Sequence, residues 1–396
     1  MVQRVPPEGF AVLANMFVIR EVDPNDNENF LMSKSVHSIA REYGWWSEEE
    51  GMLDFTKIYS DGEYAHKYYS GRRMWGGFRL AGKDFPAEYS DLQSDPVYPV
   101  YTTPVFKLTE QDLFRFHRFT YQGTPYDLGA PGNLAAGPFG SPDRWKAGPA
   151  EAQVQGAWER GIGLYRTSDT YVVKSKEGAS TGGVLYFGPA SALATIFTPF
   201  IVGLSEIPAS FRSGHQAVFS RHSAFWAACY AHNIANLKWF YAIEDVTARQ
   251  DELESASIAM VSRMEEHFSI HHDMAAVEEA YLANVDKVAT ALWSLSDELM
   301  FKYASGFINE QGNMSQMVGY PKWWLEAVGY TEGPPPPPTV PKCCHPPKPA
   351  NKVTHNQATS SHHVETSQSV TGKAAMRHHL RASDHVQSSG SDVLLD

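Results

Sequence analysis

The chain is poor in cysteine and has no excess of positive charge. Its 396 residues include three cysteines: Cys229 in an apolar run, and Cys343 and Cys344 side by side. Such a set is no disulfide framework, so the expectation is a reducing compartment, the cytoplasm, with no targeting signal to fix it. Lys and Arg number 33 against 45 Asp and Glu, for a net charge of -12. That balance argues against a nucleic-acid partner, which needs a basic face. Long apolar runs are also missing. The longest, residues 192–204, carries Thr195, Thr198 and Pro199 and is too short to span a bilayer, so no membrane partner is expected. Residues 1–17 have no basic start followed by a long apolar core, as a secretory signal would. The stretch ERGIGLYR holds Gly161 and Gly163 but lacks the third glycine of a dinucleotide fingerprint. There is no phosphate-cradling loop. No cofactor is expected.

The chain does have apolar and aromatic residues in amounts that suit a packed body, 43% and 13%. That body is expected over residues 1–330. Five prolines follow at 334–338, then a segment to 396 rich in Ser, Thr, Gln and His and nearly free of aromatics. It buries too little apolar surface to offset ordering entropy and reads as a disordered tail behind a semi-rigid spacer.

Within the body, residues 10–22 (FAVLANMFVIREV) predict a buried strand with a bend at Asn15. Residues 35–46 predict a helix, with Val36, Ile39, Ala40 and Tyr43 at helical spacing. Residues 64–80 read as a helix too. Thr109, with Asp112 three residues on, predicts a helix N-cap before residues 110–119. Residues 125–149, broken by Gly and Pro, predict a long loop of the kind that often carries function. Strands are expected over 163–174 and 182–204, with turns at 178–183 and 189–191. Helices are expected over 223–241, 247–268 and 274–306. Strands first and helices later predict a layered α+β domain.

Several stretches occur together and in order: LDFTKIYSDGEYAHKYYSGRRMW at 53–75, YQGTPYDL at 121–128, LAAGPFG at 134–140, YRTSDTYV at 165–172, GGVLYFG at 182–188, SAFWA at 223–227 and GYPKWWLEAVGY at 319–330. In them the chain resembles the dipeptidase A and secernin family of N-terminal-nucleophile cysteine peptidases. The resemblance covers about the second two-thirds of that family's domain. It implies a four-layer αββα sandwich, incomplete here, and a hydrolase that cleaves dipeptides through an N-terminal Cys. In this class the free α-amino group can act as base for its own side chain. No residue of this chain matches that Cys, because none precedes Cys229. The alternative is therefore an inactive relative that acts as a binding module. A homo-oligomer is compatible with either reading.

The resemblance also implies site residues. Asn15, in VLANMF, is similar to the Asn of a VLTN strand in related amidases, where its side-chain N–H stabilises an oxyanion. Arg166, in YRTSDTY on an expected strand, matches an arginine near the nucleophile, able to lower a thiol pKa or to pair with Asp169 or a substrate carboxylate. Tyr126, Asp127 and Arg144 are candidates for the substrate-binding rim. Asp127 could bind a peptide amino group, or cap its own loop as Asx turns do.

Two other signals point elsewhere. His267 and His271 have zinc-ligand spacing on a helix, but Phe268 stands where a zinc hydrolase has Glu. The tail holds His345, His355, His362, His363, His378, His379 and His385, a composition that can bind metal weakly. Both read as solvated polar segments, and no metal is expected.

Overall fold

A computed structural model describes residues 1–60, 62, 67–91, 98–145, 159–176 and 181–336. The expected tail beyond Pro336, with Cys343, Cys344 and its histidines, lies outside the described residues.

The N-terminal part is built from short pieces. Strand β1 (Val2–Gln3) pairs antiparallel with β3 (Phe30–Leu31), and β2 (Glu21–Val22) with β4 (Leu53–Asp54). Helix α1 (Ser35–Glu42) falls where the apolar spacing predicts it, one turn shorter. Helix α2 (Phe55–Tyr59) starts at Asp54, whose carboxylate accepts from Lys57 N. A π-helical turn, Lys67–Gly71, runs directly into α3 (Arg72–Leu80).

Residues 10–22 correct the strand expectation. Val12, Ala14, Met16 and Val18 are buried while Leu13, Asn15 and Phe17 are exposed, which is the period of a strand. Yet only Phe10, bridged to Thr102, and Glu21–Val22 are paired. Period two records which face is buried; a ladder also needs a partner edge, and among the described residues the middle of this segment has none. The bend at Asn15 is present, with φ at 54°.

Helix α4 (Glu110–His117) carries the predicted cap: Asp112 N donates to Thr109 Oγ1, and Thr109 N donates back to the Asp112 carboxylate. Strands β5 (Asp169–Lys174), β6 (Val184–Pro189) and β7 (Thr198–Ile201) form an antiparallel sheet in the order β5-β6-β7. The expected start of the first strand, residues 163–168, is turn instead. Gly163 packs on the backbone of Arg118, its N–H donates to Phe119 O, and Thr167 N closes a turn on Leu164 O.

After the short α5 (Ala209–Arg212) come the long helices α6 (Ala224–Ala235), α7 (Trp239–His271) and α8 (Met274–Lys302). The break between α6 and α7 lies at residues 236–238, not at the 242–246 that the pattern predicts. Strands β8 (Phe307–Ile308) and β9 (Gln316–Met317) pair, and α9 (Lys322–Ala327) follows. Among the described residues no helix is long and apolar enough to cross a membrane.

This is an α+β chain with its core in connected clusters. Met74, Trp75, Phe78 and Tyr121 pack against the buried side of residues 12–18. Phe114, Tyr186 and Phe197 pack against Val261, Val277 and Tyr281 of α7 and α8. Each fully buried side chain of this size contributes about 1.5–3 kcal/mol.

Candidate active site

Asn15 stands in the middle of the buried-exposed alternation, in the left-handed region that Asn tolerates better than most residues. Its side chain is exposed, and Arg73 Nη1 donates to its Oδ1 at 3.0 Å. A guanidinium only donates, so this bond fixes which end of the amide faces Arg73. The amide N–H pair of Asn15 then points elsewhere, with no acceptor among the described residues. Arg73 is itself clipped in place: its Nε donates to Tyr69 O at 2.6 Å and its Nη2 to Ala14 O at 3.3 Å.

A second guanidinium shares this spot. The Arg73 Cζ lies 4.6 Å and the Arg160 Cζ 4.8 Å from the centroid of the Tyr69 ring. Arg160 Nη1 also donates to the Tyr69 hydroxyl. The Arg160 backbone is held on both sides, by its N–H to Tyr68 O at 3.0 Å and by the buried Tyr121 hydroxyl donating to its carbonyl. Burial, then the nearby Arg160 charge, lowers the pKa of Arg73 to about 10. It remains a cation at neutral pH. The π-helical turn that presents Tyr68 and Tyr69 is an uncommon conformation, frequent at functional positions.

Arg166 and Asp169 are brought together, but not on one strand. Arg166 lies in the turn before β5 and Asp169 opens the strand; both line a cleft of about 530 Å³ with Ser168, Phe187, Phe211 and Arg212. Both are exposed, and Asp169 accepts from Ser168 Oγ at 2.9 Å without an ion pair to Arg166. This cleft shares no residue with the Asn15 cluster.

The loop candidates are committed to their own loop. The Tyr126 hydroxyl donates to Ala87 O at 2.6 Å, and its ring lies under the Arg72 guanidinium. Asp127 accepts from Gly129 N at 2.9 Å and Gly123 N at 3.4 Å, an Asx-type cap. Arg144 is buried. It donates to Leu128 O at 2.6 Å and to the carbonyls of Ala135, Ser141 and Asp143, with Glu159 as its counter-ion at 3.4 Å. Next to it the Asp143 carboxylate accepts from Asn236 Nδ2 at 2.7 Å and from His232, which ties the loop to α6.

Cys229 is half-buried on α6 and lines a cleft of about 280 Å³ with His232 and Asp143. Burial alone pushes its thiol up to about 11, so it holds its proton at neutral pH. The rings of His267 and His271 are 4.6 Å apart, and among the described residues no set of three ligating side chains stands close enough to hold a metal.

Sequence reasoning singled out Asn15 and missed Arg73 and Arg160. The signal for Arg73 was the pair Arg72-Arg73 inside a family-like stretch; Arg160 had only its place in ERGIGLYR. A probable dipeptidase from Salmonella dublin is 26% identical over 203 residues, 51% of this chain and 41% of that protein. The matched part thus spans well under half the length of that relative. The model of peptidase family C69 matches residues 1–252, a stretch that holds Asn15, Arg73, Arg160 and Arg166, and the chain belongs to that family.

Proposed function

We propose that the protein is a dipeptidase-type hydrolase that works by acyl transfer through an N-terminal Cys, which no residue of the given sequence supplies, with Asn15 as an oxyanion donor. The thiolate attacks the scissile carbonyl carbon, and the π electrons of the carbonyl move to its oxygen. As the tetrahedral species collapses, the C–N bond breaks and the leaving amine takes a proton. Water then hydrolyses the thioester. Cys229 is unsuited to start this sequence, being a protonated thiol in an apolar setting. In this reading Arg166 and Asp169 act from their own cleft, apart from Asn15, and Tyr126, Asp127 and Arg144 are positioning residues that hold the loop. The reading carries the αββα sandwich with it, residues 1–330 forming one domain and 331–396 a tail.

The observation that supports the reading most is the state of the Asn15 amide. Its oxygen is held by Arg73 while its N–H groups, at a left-handed backbone position, have no acceptor among the described residues. A donor fixed before the reaction stabilises developing negative charge at little reorganisation cost.

The test is turnover of Ala- and Leu-containing dipeptides by the endogenous protein, whose N-terminal residue is identified from its intact mass. Asn15→Ala is expected to lower kcat about a hundredfold with little change in KM. An unchanged kcat would remove Asn15 from the mechanism. A protein that binds dipeptides without turning them over would be the inactive binding module.

A further inference from the structure

We propose that Arg73 and Arg160, flanking the ring of Tyr69, form a carboxylate-binding site that takes the free C-terminal carboxylate of the peptide held at Asn15. The assignment rests on the dipeptidase reading and adds what selects the substrate's length.

Four other guanidiniums with limited exposure have counter-ions: Arg20 has Asp54, Arg79 has Asp84, Arg118 has Glu254 and Arg144 has Glu159. Arg73 and Arg160 are half-buried, both lie against the Tyr69 ring, and they meet no carboxylate among the described residues. Two like charges at one ring repel, and partial burial weakens the screening that would relieve them. Neutral acceptors, the carbonyls of Ala14 and Tyr69, the amide oxygen of Asn15 and the Tyr69 hydroxyl, take only some of the ten N–H groups of the pair. A bound anion would remove the repulsion and accept the rest in charge-assisted bonds.

Distance identifies the anion. In a dipeptide three bonds separate the scissile carbonyl carbon from the carboxylate carbon, so the two lie less than about 4 Å apart. Arg73 touches Asn15 at 3.0 Å. A carbonyl oxygen held by the Asn15 amide therefore leaves a C-terminal carboxylate within reach of the guanidinium pair. A longer peptide puts a neutral amide there and leaves both cations unpaired.

The experiment measures binding of Ala-Leu and of Ala-Leu amide to the full chain by calorimetry, in the wild type and in Arg160→Gln and Arg160→Lys. Arg160 is the residue to change because its backbone bonds to Tyr68 and Tyr121 survive the substitution. The expected result is at least about tenfold tighter binding of the free acid by the wild type, the equivalent of one charge-assisted bond. Arg160→Gln should erase most of that preference, and Arg160→Lys should recover part of it. Equal binding of acid and amide by the wild type would overturn the site and leave the dipeptide reading standing. An undiminished preference in a folded Arg160→Gln would also overturn it. Binding of neither ligand would sink the dipeptide reading, and the site with it. If Arg160→Gln fails to fold, the wild-type comparison of acid with amide still decides.

Discussion

Glu254 is a buried charge with three donors. Arg118 approaches it with both terminal nitrogens, Nη1 at 2.9 Å, and Phe197 N donates to it at 2.8 Å. Arg118 in turn donates to Ala192 O and Thr195 O, so one carboxylate organises the turn between β6 and β7. Glu254→Ala leaves a guanidinium uncompensated and a backbone N–H without its acceptor, and should cost about 3–5 kcal/mol in urea unfolding. Glu254→Gln keeps an acceptor for Phe197 and should cost clearly less. Equal losses in the two variants would mean that packing, not charge, sets the value. Little of this was legible beforehand, because Arg118 and Glu254 are 136 residues apart and each looks like a surface residue in its own segment. Asn15 was easier to read, since a bend residue declares itself in its own few neighbours. Arg73 and Arg160 were not, because their meaning lies in the carboxylates they lack, and only the folded chain reveals that.

Elements were legible where the signal is local. The Thr109–Asp112 cap and the spacing of α1, α6, α7 and α8 come from residues within one or two turns of each other. The strand expected over residues 10–22 needed a partner edge, and the pattern of one segment does not supply one. The break between α6 and α7 is likewise set from a distance. Lys238 buries its ammonium to donate to Tyr303 O at 2.8 Å, Asn236 is held by Ser141 and Asp143, and Phe240 N donates to Phe139 O at 3.0 Å. The loop thus docks on the start of α7, and Gly140 is the closest point: at φ +73° its added Cβ would overlap the Phe240 ring. Gly137, at φ +65°, faces open space. Gly137→Ala should cost only the backbone penalty of its φ 65°, ψ -173° conformation, which is essentially glycine's own, about 1–3 kcal/mol, measured by denaturant unfolding. Gly140→Ala adds an overpacking cost of about 1–3 kcal/mol and should be the worse of the two. A smaller loss at Gly140 than at Gly137 would mean that the loop shifts away from α7 without penalty.

At the scale of the molecule, α4 joins the two parts of the core. Phe116 meets Phe10 at 6.3 Å between ring centroids on the N-terminal side, while Phe114 stacks on Phe197 at 4.4 Å on the other. His117, which follows Phe116 directly, lies against Phe116 and Phe197 with Arg118 next in the chain. Burial first, and the Arg118 charge second, pull its pKa from 6.5 down to about 4. The sign follows from proton counting. Between those two values the unfolded chain binds a proton that the folded chain refuses, so stability falls as pH falls. The contribution is complete above pH 6.5, shrinks as pH drops toward 4, and stops changing below both values. Because α4 carries contacts to both sides, protonation of His117 should loosen the whole body rather than one edge. Thermal melts of the wild type and of His117→Gln from pH 7.5 to 4.5 check this. The wild-type Tm should fall more steeply with acid than that of the variant, with the difference growing below pH 6.5. Parallel curves would assign the acid sensitivity to other groups. A single transition in both would show that the parts joined by α4 unfold as one unit.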